Sequence, residues 1–174
     1  KITVDSSTLM NKGLEIIEAS ILFNINENDI DAIIHPESII HGIITFIDSS
    51  SHAFLSHPNM EISISSALFE NNNVDLNKFN LDLDKIGALN FSKIDNMKFN
   101  SIDLSINALK IGGLMPTVLN YINEIMVYKF LDNEILFTDI LVYNEKYMNL
   151  FISDNNNISV PDIADVFDTF KIID

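Results

Sequence analysis

A chain of 174 residues with 47% hydrophobic and 20% charged content is long enough to bury a core and too apolar to be disordered. Its formal net charge of −15 argues against nucleic acid as a partner, because phosphate backbones are bound by clustered Lys and Arg. The lack of Cys excludes disulfides and thiolate metal sites and leans toward a reducing compartment, while no apolar run reaches the ~20 residues of a membrane span. A small anionic ligand stays compatible, provided that local donors overcome the acidic field.

In chain order, Ile2-Thr3-Val4 reads as the end of a strand running into Asp5-Ser-Ser-Thr-Leu-Met-Asn-Lys-Gly-Leu-Glu15. From about Ser7 to Phe23, the residues Leu9, Met10, Leu14, Ile17, Ile21 and Leu22 recur at three- and four-residue steps, a helical period. Asp29 to Ile34 is a short β-branched run closed by His35-Pro36, where the proline favours extended geometry before it and ends any ladder. Ile39 to Ile47 and His52 to Leu55 read as strands joined through Asp48-Ser-Ser-Ser51, and a helical pattern returns from Met60 to Phe69.

The composition turns Asn-rich at Glu70-Asn-Asn-Asn73 and stays irregular to about Asn96, which reads as a linker. Four helices are expected beyond it. The first runs from Ser101 to Lys110 and is stopped by Gly112-Gly113. The second is opened by Pro116 and runs to about Leu131; the third spans Leu136 to about Phe151, and the fourth Val160 to about Phe170. The expected class is α+β: a mixed sheet with flanking helices over residues 1–70, a linker over 71–98, and a small all-helical bundle over 99–174.

The opening segment carries the chemistry. On a helix, Asn11 and Lys12 lie four and three residues before Glu15, so all three project from one face. The rise between them is roughly 4.5–6 Å. A small phosphorylated molecule could span that gap, with its anion on Lys12, Asn11 and a hydroxyl, and its oxygens reaching a metal on Glu15. The hydroxyls of Ser6, Ser7 and Thr8 are expected among the free N–H groups of a helix start, which favour anions. Gly13 inside a helix costs about 1 kcal/mol relative to Ala, so a packing or close-approach reason is expected. Spacing alone fits equally a capped helix with an exposed Lys12–Glu15 pair. By the same reasoning His35, before a proline, reads as structural, and His41, in an apolar run, as a core histidine.

The stretch from Lys1 to Glu15 resembles the signature of the 1-deoxy-D-xylulose 5-phosphate reductoisomerase family. Ile34-His-Pro-Glu-Ser-Ile-Ile-His41, His57-Pro-Asn-Met60, Pro116-Thr-Val-Leu-Asn-Tyr-Ile-Asn-Glu124 and Phe137-Thr-Asp-Ile140 agree in order and spacing. The likeness is strongest before Met60 and weakest from Glu61 to Asn107. It implies an enzyme that isomerises and reduces 1-deoxy-D-xylulose 5-phosphate to 2-C-methyl-D-erythritol 4-phosphate with NADPH and a Mg or Mn ion. It makes Ser6, Asn11 and Lys12 ligands of the substrate phosphate region, and Glu15 a metal ligand lying against the substrate. His41 matches a catalytic-site histidine, Lys12 joins it in catalysis, and Ser38 and Met60 match positions lining the site.

The resemblance also implies what should lie elsewhere. In the family an Asp-x-Glu pair that completes the metal site, the nucleotide-binding domain and a closing loop all precede this region. Residues 1–70 would then be the back of the catalytic domain, no residue of this chain would bind the cofactor, and the chain alone should lack reductase activity. A homodimer and a cytoplasmic setting, with a plastid-type organelle second, are implied as well. Departures occur at Glu61-Ile-Ser63, at Phe69-Glu-Asn71 and at Asn120-Tyr-Ile-Asn-Glu124, where Tyr121 and Ile122 replace two small residues and bring close helix packing into question. The competing readings are a diverged, non-catalytic phosphate-binding or interaction module, and a metal-dependent isomerase or hydrolase acting alone.

Overall fold

The computed structural model describes residues 1–69 and 79–154, so the expected helix from Val160 to Phe170 and part of the expected linker lie outside the described residues. Two compact units divide the chain, and their limits differ from the expected boundaries at 70 and 98. One unit joins Lys1–Ala32 to the chain from Ile94 onward; the other is Ile33–Lys93. The α+β class stands, with seven α-helices and four strands among the described residues.

The first unit opens with α1 (Ile2–Ser7) and α2 (Met10–Phe23). The expected strand at Ile2–Val4 is therefore a helix, although three β-branched residues favour extended chain. Tertiary contacts override that preference. The helix buries Val4 and Asp5 side by side and points the Thr8 and Ser7 hydroxyls at carbonyls one turn back, Val4 and Thr3. The expected single helix from Ser7 is likewise broken, because Leu9 takes the left-handed conformation with φ 58° and α2 starts only at Met10. That conformation costs a non-glycine residue about 1–2 kcal/mol, so the surrounding contacts must hold it.

After a 3₁₀ turn at Glu27–Asp29, the unit resumes with α5 (Ser101–Ile111), α6 (Met115–Leu131) and α7 (Asp139–Asp154). Gly112 ends α5 at φ 74°, and Pro116 sits in the first turn of α6, where its missing N–H costs nothing. Helix α7 begins at Asp139 rather than Leu136, because the Asp139 carboxylate accepts the Leu136 N–H at 2.9 Å and closes a turn ahead of the helix. Val118, Leu119, Ile122 and Met126 of α6 meet Ile140 and Met148 of α7 in one core with Met10 and Ile17 of α2. Each such side chain contributes about 1.5–3 kcal/mol by leaving water. Ile122 is accommodated in this core, so the bulky replacement there is buried without opening the bundle.

In the second unit β1 (Ile33–Ile34) pairs antiparallel with β4 (Ser92–Lys93), and β2 (Ile40–Thr45) forms an antiparallel hairpin with β3 (Ser51–Leu55). The hairpin connection is tied by Asp48, whose Oδ1 accepts from the N–H and the hydroxyl of Ser50; these two bonds hold its carboxyl below the ordinary carboxylate range. Helix α3 (Met60–Phe69) is capped by Asn59, whose Oδ1 accepts the Glu61 N–H at 2.9 Å. A short helix α4 (Leu83–Ile86) precedes β4.

Candidate functional site

The first two turns of α2 bring Asn11, Lys12 and Glu15 together on an open face. Asn11 Nδ2 donates to Glu15 Oε1 at 2.8 Å, and Lys12 Nζ donates to Glu15 Oε2 at 2.5 Å. Both side chains of the ion pair are about half exposed, 49% for Lys12 and 46% for Glu15. The expected gap between the donors and the carboxylate is closed: each oxygen of Glu15 already has its own donor. Ser6 is exposed near the end of α1. The Ser7 and Thr8 hydroxyls, expected among free N–H groups, instead donate to the Thr3 carbonyl and to the Val4 and Asp5 carbonyls. They finish α1 rather than face an anion, and Thr8 Oγ1 accepts the Met10 N–H only at a long 3.4 Å.

Beneath this face the same motif is buried. Thr8, Met10 and Gly13 are all inaccessible, and the close approach expected at Gly13 is real. A Cβ there would stand 2.3 Å from Ser105 Oγ and 3.0 Å from the Ser101 carbonyl oxygen of α5. Ser101 Oγ donates to the Thr8 carbonyl at 2.9 Å, and buried Asp5 accepts from Asn123 Nδ2 of α6 at 2.8 Å. Lys1 Nζ pairs with Glu124 at 3.2 Å beside it. Asn123 lies within the Pro116–Glu124 segment that carries the resemblance but receives no role from sequence reasoning, and Asn144 is not singled out at all. Their position in otherwise apolar stripes, Asn123 between Leu119 and Met126 and Asn144 between Ile140 and Met148, was the available signal.

Ser38, His41 and Met60 belong to the second unit. His41 is the additional residue where the β2–β3 register shifts between Ile40 and Gly42, a bulge of the kind that re-aims a side chain. Its Nε2 lies 3.1 Å from the Ser56 carbonyl, which only accepts, so Nε2 carries the proton and Nδ1 is the open ring nitrogen of the neutral form. Ser38 is exposed with φ 53°, following the turn closed by its own N–H on the His35 carbonyl at 3.1 Å. Met60 opens α3 and is 71% exposed.

His35 fills a structural position. Its ring stacks on Phe91 at 4.8 Å, and Nδ1 lies 2.9 Å from the Asn90 carbonyl and 3.0 Å from Glu37 Oε2. Glu37 also accepts from the side chain and the N–H of Asn90, and these bonds, ahead of the nearby imidazole, hold its carboxyl below 4.5.

As a metal site the described residues are incomplete. Glu15 is a hard oxygen donor of the type that Mg and Mn prefer, yet about six such donors surround these ions. Among the described residues no group of three His, Cys, Asp or Glu converges on one point. Glu15 therefore fits as one ligand, not as a centre. No glycine-rich dinucleotide-binding turn occurs in the sequence.

Comparison with known proteins converges on one family. The DXP reductoisomerase C-terminal domain family matches residues 55–172, and the 1-deoxy-D-xylulose 5-phosphate reductoisomerase C-terminal domain family matches residues 1–23. The reductoisomerase of a Sulfurihydrogenibium species is 50% identical over 140 residues, covering 80% of this chain and 37% of that protein. That of Thermoanaerobacter pseudethanolicus is 44% identical over 172 residues, covering 98% and 44%. The Zymomonas mobilis reductoisomerase solved with NADPH superposes with a TM-score of 0.89 at 34% identity, over 99% of this chain and 45% of that one. A DOX-P reductoisomerase solved with NADPH, fosmidomycin and magnesium does so with a TM-score of 0.89 at 33% identity, over 99% and 43%. The chain thus spans less than half the length of these relatives.

Proposed function

The chain belongs to the 1-deoxy-D-xylulose 5-phosphate reductoisomerase family, and we propose that it supplies the phosphate-binding wall of an enzyme converting 1-deoxy-D-xylulose 5-phosphate to 2-C-methyl-D-erythritol 4-phosphate. The observation that carries this reading is the exposed Asn11–Lys12–Glu15 trio, in which two donors are parked on one carboxylate. Glu15 would contribute one oxygen to a Mg or Mn ion, whose chemistry when bound would be to polarise the substrate carbonyl for a hydride that NADPH would supply. With Glu15 so occupied, Lys12 and Asn11 would be available to the substrate phosphate. One set of ion-pair contacts replaces another, and no charge is stranded.

Lys12 then holds the phosphate as a point charge, Asn11 and Ser6 add neutral donors, and the energy of gripping this remote group positions the reacting carbons. His41 keeps Nε2 on the Ser56 carbonyl and offers Nδ1 as an acceptor, which suits orienting a substrate hydroxyl. The family resemblance gives Ser38 and Met60 substrate-binding roles in the full-length enzyme. Relatives solved with NADPH, magnesium and the phosphonate fosmidomycin support the choice of cofactors and of a phosphorylated substrate. The reading includes a homodimer, supported by apolar side chains left open on the hairpin, among them Ile43, Ile44 and Phe54.

The test is steady-state turnover of the full-length protein. NADPH oxidation should require both the phosphorylated substrate and Mg or Mn. Lys12→Ala should raise KM about 10- to 100-fold, the worth of a charged hydrogen bond, with a smaller change in kcat. Metal-independent turnover, or an unchanged KM in Lys12→Ala, contradicts the assignment.

A further inference from the structure

A directional polar chain runs through the helical unit. Asn123 Nδ2 donates to Asp5 Oδ1 at 2.8 Å, and Asn144 Nδ2 of α7 donates to Asn123 Oδ1 at 3.0 Å. All three residues are buried. A carboxylate only accepts, so Asn123 must turn its nitrogen to Asp5. Its oxygen is then left for Asn144, which must answer with nitrogen. Three apolar side chains would fill such positions without the cost of desolvating polar groups. What the polar chain adds is orientation, because each amide has one permitted direction.

That orientation bears on a junction under strain. Asp5 sits on α1 and the trio starts α2, with left-handed Leu9 between them. Ser101 grips the Thr8 carbonyl from α5, and Gly13 lets α2 approach α5 closely enough that no side chain fits between. We propose that Asn123 and Asn144 are positioning residues: acting through Asp5, they set the α1–α2 junction and with it the direction in which Asn11 and Lys12 present their donors to the substrate phosphate. This rests on the reading of the trio given above. It gives the helices distant in sequence a part in substrate recognition, although neither Asn reaches the open face.

Steady-state kinetics and thermal unfolding of the full-length enzyme test it with three variants. Asn123→Asp places two carboxylates against each other. It should raise KM for the phosphorylated substrate about tenfold or more while kcat moves less than about threefold, since misplacement of about 1 Å is enough to cost two orders of magnitude. The exchange Asp5→Asn with Asn123→Asp rebuilds the chain, because a carboxylate at position 123 can accept from the amides on both sides of it. It should return KM to within about threefold of wild type and restore the unfolding midpoint. Asn144→Ser, the milder change, should raise KM severalfold in the wild-type background and less than about twofold when Lys12→Ala is already present.

An unchanged KM in both Asn123→Asp and Asn144→Ser overturns the proposal. So does an exchange variant that fails to recover KM or stability. An equal KM factor for Asn144→Ser with and without Lys12 assigns these residues to bulk stability alone and also overturns it. If Asn123→Asp does not fold, the exchange variant and the Asn144→Ser pair decide. Wild-type protein without turnover would instead defeat the functional reading, and this inference with it.

Discussion

The helical unit and the hairpin unit solve opposite problems. The first closes a core across α2, α5, α6 and α7 and threads a buried polar chain, Asp5 to Asn123 to Asn144, through it. In the second, among the described residues, Ile39 is the one buried hydrophobic side chain, while Ile43, Ile44, Phe46 and Phe54 stand open. Open apolar area of that kind marks a surface that functions covered. The contrast also runs through the opening motif. Its buried positions, Asp5, Thr8, Met10 and Gly13, are committed to the helical core, and its exposed ones, Asn11, Lys12 and Glu15, are those we propose for substrate and metal. On the proposed reading, one short stretch encodes both how the site is held and what it does.

Core truncations should separate the units most widely. Leu119→Ala empties a site with 0% exposure and should lower unfolding free energy by about 2–5 kcal/mol. Ile44→Ala, at 49% exposure, should cost less than about 1 kcal/mol. Equal losses in denaturant unfolding would erase the distinction.

The glycines sharpen it at a smaller scale. Gly13→Ala drives a methyl to 2.3 Å from Ser105 Oγ and should destabilise by about 1–3 kcal/mol, with partial recovery on adding Ser105→Gly. Gly42→Ala meets nothing nearer than Phe54 at 4.0 Å and should stay within about 0.5 kcal/mol of wild type by the same measurement.

The smallest effect concerns Glu37. Its carboxyl is held below 4.5 by hydrogen bonds from Asn90, so its contribution is fully present above that value and is lost as pH falls through the lowered one. Wild type should be slightly more stable than Glu37→Gln at neutral pH, and the two curves should converge in acid. Divergence on acidification would reverse the sign and refute the assigned cause.

Much of this was readable in the residues. Gly112 and Pro116 marked the helix ends they punctuate, and the turn-forming Asp48-Ser-Ser-Ser51 between two strand-like runs gave the hairpin. The i, i+3 and i+4 spacing put Asn11, Lys12 and Glu15 on one face, where they are found. Other features had no local signal. Helix α1 opens on three β-branched residues and is fixed by Asn123, far along the chain. The break at Leu9 is a left-handed leucine, which no propensity announces. The β1–β4 pair is only two residues long on each side and joins distant segments. Asp5 and Asn123 fall in segments that carry the resemblance, yet their buried pairing, like the burial of Asn144, was hidden because polar residues on helices are read as solvent-facing; the apolar stripes around the two Asn residues were the local sign.

The central claim is that the exposed half of the motif works while the buried half holds it. Glu15→Gln tests it most directly, since it keeps the shape of a half-exposed side chain while removing the charge and turning one of the two acceptor oxygens into a donor. With the full-length enzyme, kcat/KM for NADPH oxidation at saturating Mg should fall by about 10²-fold or more, while the unfolding midpoint stays within about 2 °C of wild type. Unimpaired turnover in Glu15→Gln, or a loss of activity matched by a collapse in stability, would contradict the account.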